Sequence, residues 1–166
     1  LDVNHSFDFL KVYRSTFADS IDIVNTEMTN VTGSILALDK ETDDLGMYNV
    51  ENVTITGSTF TDIQGAVANV YRGGTDESTF GPIVVVEDNA FNNTGLGSRN
   101  KSGASLKFHG VQKLHISDST LSSSAPLDLH LTNGEPITVI RDVVMKDTPE
   151  LRANNDQYEI ENVLYE

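Results

Sequence analysis

Short apolar-x-apolar triplets recur along the chain: Ile21-Asp22-Ile23, Val53-Thr54-Ile55, Val84-Val85-Val86, Leu114-His115-Ile116 and Ile137-Thr138-Val139. Five residues past each triplet stands another apolar residue, in order Met28, Phe60, Phe91, Leu121 and Val144. Between the two lies a polar one: Thr26, Ser58, Asn89, Ser119 and Asp142. A small residue or a proline follows, at Gly33, Gly65, Gly95, Ala125 and Pro149. A second set of alternating segments falls in the gaps, at Leu10-Lys11-Val12, Leu36-Ala37-Leu38, Ala68-Asn69-Val70, Leu106-Lys107-Phe108 and Leu127-Asp128-Leu129-His130-Leu131. The apolar period is two throughout, which predicts short strands with one buried face, and no window sustains a helical period. One phrase is nearly duplicated. Val12-Tyr13-Arg14-Ser15-Thr16-Phe17 returns as Val70-Tyr71-Arg72 and, after Gly73-Gly74-Thr75-Asp76-Glu77, as Ser78-Thr79-Phe80.

A single unit of this kind cannot bury its own apolar row. Stacked on its neighbours it can, each strand bonding to the equivalent strand above and below. The series Thr26, Ser58, Asn89, Ser119, Asp142 then becomes a polar ladder at a bend, where side chains bond turn backbone. The expected fold is all-β, a right-handed parallel β-helix of about five coils of roughly 20–40 residues each. An antiparallel β-sandwich would also give many short strands. It would not repeat equivalent positions in the same order in every unit.

The chain of 166 residues is read as one β-helix domain over 1–166. It opens at Leu1 with a segment already entering a coil, so it is expected to be part of a longer, exported protein, secreted or periplasmic. Cysteine is absent, which removes disulfides, thiolate metal sites and a cysteine nucleophile. The net charge of −14 argues against nucleic acid, whose binding rests on cationic contacts to phosphates, and against an anionic membrane surface. Sequons at Asn4, Asn30, Asn52, Asn92 and Asn100 carry little weight in a chain this rich in Asn, Ser and Thr.

On stacked coils, outward residues form columns. The second strand set gives one column of Lys11, Ala37, Asn69, Lys107 and Asp128, and another of Tyr13, Asp39, Tyr71, His109 and His130. Rings that stack on sugar faces, beside groups that bond hydroxyls and carboxylates, suit an extended glycan. The candidate glycan-binding residues are Tyr13, Tyr71, Arg72, Lys107, His109 and His130; a plain solvated sheet face is the alternative reading. Arg72 would either pin its own loop through Asp76 or Glu77, or face a sugar carboxylate. The acidic run Asp39-Lys40-Glu41-Thr42-Asp43-Asp44 holds hard oxygen ligands but lacks the EF-hand glycine and glutamate, and reads as a solvated loop. His5, His109, His115 and His130 show no zinc spacing, and no nucleophile elbow or phosphate loop occurs.

The string Tyr71-Arg72-Gly73-Gly74-Thr75-Asp76-Glu77-Ser78-Thr79-Phe80-Gly81-Pro82, together with the coil repeat, resembles the polysaccharide lyase family of chondroitinase B and the alginate lyases. More closely, the chain resembles the C-terminal β-helix of the two-domain members. That resemblance implies a parent enzyme that cleaves uronate-containing glycans by β-elimination, with calcium neutralising the substrate carboxylate, a lysine base and an assisting arginine. None of those residues can be carried over: no Glu flanks Asn69 in its column, and neither Lys11 nor Lys107 has an Asn-Glu-Glu cluster beside it. The expectation is therefore an accessory, non-catalytic domain with no catalytic residue, metal ligand or cofactor of its own, calcium belonging to the parent enzyme. Its expected partners are an acidic polysaccharide (alginate or a glycosaminoglycan), an N-terminal catalytic domain of the same chain, and a second copy in a homodimer. Two alternatives stand beside it. One is an autonomous lyase using Arg72, Lys107 and His109 around a metal-bridged carboxylate; the other is a structural β-helix of an adhesin or phage spike.

Overall fold

The computed structural model describes residues 8–13, 18–38, 50–71, 81–130, 137–153 and 158–166. Every regular element among them is a strand, and every strand pairing is parallel. In chain order these are β1 (Leu10–Val12), β2 (Ala18–Val24), β3 (Glu27–Val31), β4 (Leu36–Leu38), β5 (Val50–Thr56), β6 (Thr59–Ile63), β7 (Ala68–Tyr71), β8 (Ile83–Glu87), β9 (Ala90–Thr94), β10 (Leu106–His109), β11 (Lys113–Ser122), β12 (Leu127–His130), β13 (Ile137–Lys146), β14 (Arg152–Ala153) and β15 (Glu159–Tyr165).

One sheet runs β1-β4-β7-β10-β12-β14, each neighbour one coil further along the chain. The remaining strands form two more walls, β2-β5-β8-β11-β13-β15 and β3-β6-β9, joined because β11 continues round the corner to pair with β9. The chain is thus a parallel β-helix. The rungs read from the sequence are all present, and β14 with β15 adds one more at the C-terminal end.

Identical depths of the core stack in rows. Ile23, Ile55, Val86, Ile116 and Ile140 form one, and Met28, Phe60, Phe91, Leu121 and Met145 another, all buried. Phe60 and Phe91 stack with centroids 5.5 Å apart and planes 5° from parallel. Val12 and Val70 of the duplicated phrase face inward at matching points of β1 and β7.

In the fifth coil the register differs by one residue from the sequence expectation. Leu114 pairs with Thr138 and Ile116 with Ile140, so the inward triplet is Thr138-Val139-Ile140. Thr138 is buried while Ile137 is 57 % exposed, and Met145 rather than Val144 continues the Phe91–Leu121 row. A polar residue at an inward position and an isoleucine outside it imitated a shifted alternation; a one-residue slip moves every side chain to the other face.

Two corners of each coil need a left-handed backbone. Residues Asn25, Gly57, Asp88, Asp118, Asp142 and Asn162 turn the first, and Asn30, Asp62, Asn93, Ser123 and Asp147 the second, all with φ between 45° and 59°. Asn, Asp and Gly tolerate this region best. Asp142 therefore belongs to the corner column, and Val143 takes the next place in the polar ladder.

Ahead of that point the ladder is continuous. The backbone N–H of Thr26 donates to Ser58 Oγ at 3.0 Å, that of Ser58 to Asn89 Oδ1 at 3.0 Å, and that of Asn89 to Ser119 Oγ at 3.2 Å. Asn89 Nδ2 donates to the carbonyls of Ile55 (2.8 Å) and Glu87 (2.9 Å). A second ladder takes over at the other corner, where Thr94 N donates to Ser124 Oγ and Ser124 N to Thr148 Oγ1. Buried polar groups left unmatched are costly, and these side chains meet the backbone groups that the turns would otherwise strand.

Asn89→Ala removes two carbonyl bonds and leaves the Ser58 N–H without its acceptor, a loss of about 3 kcal/mol and about 6–12 °C in melting temperature. Thr26→Ala, at the partly exposed end of the ladder, should cost under about 1 kcal/mol. Thermal melts followed by circular dichroism compare the two; equal losses would contradict the ladder.

Candidate functional site

The outward column of the β1-β4-β7-β10-β12-β14 sheet is the one expected. Lys11 pairs in register with Ala37, Ala37 with Asn69, Asn69 with Lys107, and Lys107 with Asp128; Arg152 extends it. Lys107 Nζ lies 3.8 Å from Asp128 Oδ2, with side chains 23 % and 20 % exposed. In the second column Tyr71, His109 and His130 occupy consecutive rungs, and the two imidazole rings are 4.2 Å apart with a 39° tilt.

Tyr13, just beyond β1, is more than half exposed, and Lys11 Nζ sits 5.2 Å from its ring centroid, a cation–π distance. The structure thus brings Lys107, His109 and His130 together on adjacent rungs, with Tyr13 toward the N-terminal end of the same sheet. Arg72, Asp39 and the rest of the acidic loop lie outside the described residues, as does the side chain of Tyr71.

Ala37 is the shallow point of the first column, buried between Lys11 and Asn69. There the sheet face opens into a groove of about 230 Å³. Its far wall is the connection from β9 to β10, residues 95–105, which carries Arg99, Asn100 and Lys101. Residues 64–67 turn the same corner one coil earlier, so the later connection is an insertion at that corner, and it lines the groove.

The inserted loop is held from several sides. Gly97 N donates to Gln64 O at 2.9 Å, and a side chain at Gly97 would bring its Cβ within 2.7 Å of that oxygen. Only glycine permits so close an approach. Asn100 Nδ2 donates to Gly95 O (2.7 Å) and Ala104 O (2.9 Å), tying the two ends of the loop, and its Oδ1 accepts from Ser102 N at 3.2 Å. The sequence reading passed over Arg99, Lys101 and Gln64. The available signal was a basic, glycine-bounded run, Gly95 to Gly103, in an acidic chain at a corner where the other coils spend only a few residues.

A calcium ion needs several oxygen donors converging on one point. Asn69 has Ala37 and Lys107 as column neighbours, and no three His, Cys, Asp or Glu side chains converge among the described residues. A divalent cation of this class takes six to eight oxygen ligands, several of them carboxylates.

Lys107 and Asp128 form a part-exposed pair beyond hydrogen-bond length, worth no more than about 1 kcal/mol. Lys107→Ala should therefore lower the melting temperature by less than about 4 °C in a chain of this size. A larger loss in a thermal melt would mean that the pair holds the two rungs together.

No protein-family model and no curated protein matches the sequence. Among solved structures, the chain is similar to the PL6 family alginate lyase AlyGC, with 39 % identity and a TM-score of 0.75 over 90 % of this chain and 22 % of that one. An arginine-to-alanine mutant of AlyGC matches with 41 % identity and a TM-score of 0.64, over 81 % of this chain and 22 % of its own. The chain thus spans 22 % of the length of the structures it matches. In fold and in sequence it is related to a polysaccharide lyase.

Proposed function

We propose that this chain is an accessory β-helix region of a polysaccharide lyase that degrades alginate or a similar uronate polymer by β-elimination. The observation that carries this reading is 39 % identity to an alginate lyase across 90 % of the chain, on the same coiled architecture. β-Elimination at a uronate needs the carboxylate neutralised before its α-proton can be removed, and a base within reach of that proton. On the described outward face, Lys107 is engaged with Asp128, and Lys11 stands against Tyr13 and next to Ala37. Among the described residues, no three carboxylate or imidazole groups converge beside either lysine to hold a bridging cation.

The role left to the chain is to extend the surface over which the polymer runs. Exposed Tyr13, the adjoining imidazoles of His109 and His130, and Asn69 offer stacking surfaces and hydrogen-bonding groups along one flat sheet. This reading expects a catalytic β-helix region elsewhere in the same polypeptide, where calcium would act. It also expects a secreted or periplasmic protein whose copies associate as a dimer.

Two measurements test it. The isolated 166-residue chain, incubated with alginate and calcium, should produce no rise in absorbance from unsaturated uronate, whereas turnover would reassign it as an enzyme in its own right. In affinity electrophoresis the chain should be retarded by alginate and not by a neutral polysaccharide of similar viscosity. Equal mobility in both gels would remove the glycan-handling role.

A further inference from the structure

We infer that the groove beside residues 96–102 is a carboxylate-binding subsite that grips one uronate unit through Arg99 and Lys101; this rests on the glycan-handling reading and gives it a location. Charge is the first reason. The protein carries a net −14, so its average field repels a polyuronate. Screening confines that field to about 8–10 Å at ordinary ionic strength, so a ligand feels mainly the charges nearest to it. Among the described residues that line this groove the balance is inverted: Lys11, Arg99 and Lys101 stand against the carboxylate of Asp8. Asp8 Oδ1 is already occupied, accepting a bond from Ser34 N at 3.1 Å.

Preorganisation is the second reason. A loop that must be ordered on binding spends part of its interaction energy on ordering. This one is ordered already, by the Gly97–Gln64 backbone bond and by the Asn100 amide that clamps Gly95 to Ala104. Asn100 thereby fixes the backbone between the two cations that flank it. The planar guanidinium of Arg99 presents paired donors matched to a carboxylate, and Lys101 adds a point charge.

Size and lining complete the case. The volume of about 230 Å³ is below the roughly 300–1,000 Å³ of pockets for drug-sized ligands, which suits one sugar ring of a longer chain. Gln64 and Asn69 line the groove with amides that can bond sugar hydroxyls, and the small Ala37 side chain lies between Lys11 and Asn69. Lys107 in the same column, and His109 and His130 in the one beside it, continue along the same sheet, so a polymer held here could run on across it.

The test uses the 166-residue chain, a tetrasaccharide of mannuronate or guluronate, and the same tetrasaccharide with its carboxyl groups reduced to alcohols, with affinities measured by calorimetry. Wild-type protein should bind the acidic form, more weakly as salt is raised. R99A/K101A should bind it about ten-fold less tightly, two solvent-exposed ion pairs of up to about 1 kcal/mol each having been lost, with a melting temperature within about 2 °C of wild type. The reduced tetrasaccharide should bind both proteins equally weakly. Should the double variant keep wild-type affinity for the acidic sugar, the subsite is wrong and the broader glycan role survives. If wild-type protein prefers the reduced sugar or binds both alike, carboxylate recognition is overturned. If it binds neither, the glycan role fails and the subsite falls with it.

Discussion

Register is the constraint on which this molecule depends. Each coil is too thin to bury its own apolar row, so stability comes from placing like on like: isoleucine over isoleucine, phenylalanine over phenylalanine, a hydroxyl or amide over the next turn's backbone N–H. Parallel pairing makes that repetition continuous along the axis. The same pairing aligns the outward residues, which is why Lys11, Ala37, Asn69, Lys107 and Asp128 form a column despite their wide separation in sequence. Core and surface are two faces of one alignment.

The corners reconcile an acidic chain with the acidic ligand proposed for it. Left-handed turns recur twice per coil and favour Asn, Asp and Gly, so Asp62, Asp88, Asp118, Asp142 and Asp147 serve the backbone. Five of the 25 acidic residues are in this sense a by-product of coiling, set along the corner columns. The sheet face and the inserted loop beside it carry Lys11, Lys107, Arg99 and Lys101 instead. Net charge alone would have assigned the whole surface to repulsion.

How much could be read from the sequence depended on how faithfully each coil kept the pattern. The triplets from Ile21 to Ile116 are regular, and their rows and the ladder from Thr26 to Ser119 lie where the alternation puts them. Thr138 broke the pattern by pointing a hydroxyl inward, and Ile137 completed a false triplet outside it. The last rung escaped notice because β14 is two residues long and β15 leaves Ile160, Leu164 and Tyr165 largely exposed, so neither shows the half-buried alternation of the others. The outward columns followed directly from the coil alignment. The groove did not: the path of an inserted loop leaves no period in the sequence, and Arg99 and Lys101 meet Lys11 only through that path.

Disulfide trapping tests the register most directly, since the chain contains no cysteine of its own. Neighbouring in-register positions on parallel strands fall within the Cα separation of about 4.4–6.8 Å that a disulfide requires. On mild oxidation, Asn69→Cys/Lys107→Cys and Lys107→Cys/Asp128→Cys should each form an internal cross-link, and Lys11→Cys/Asp128→Cys, several rungs apart, should not. Cross-linking of the distant pair, or two adjacent pairs that stay reduced in a folded chain, would contradict the stacked coil from which everything else follows.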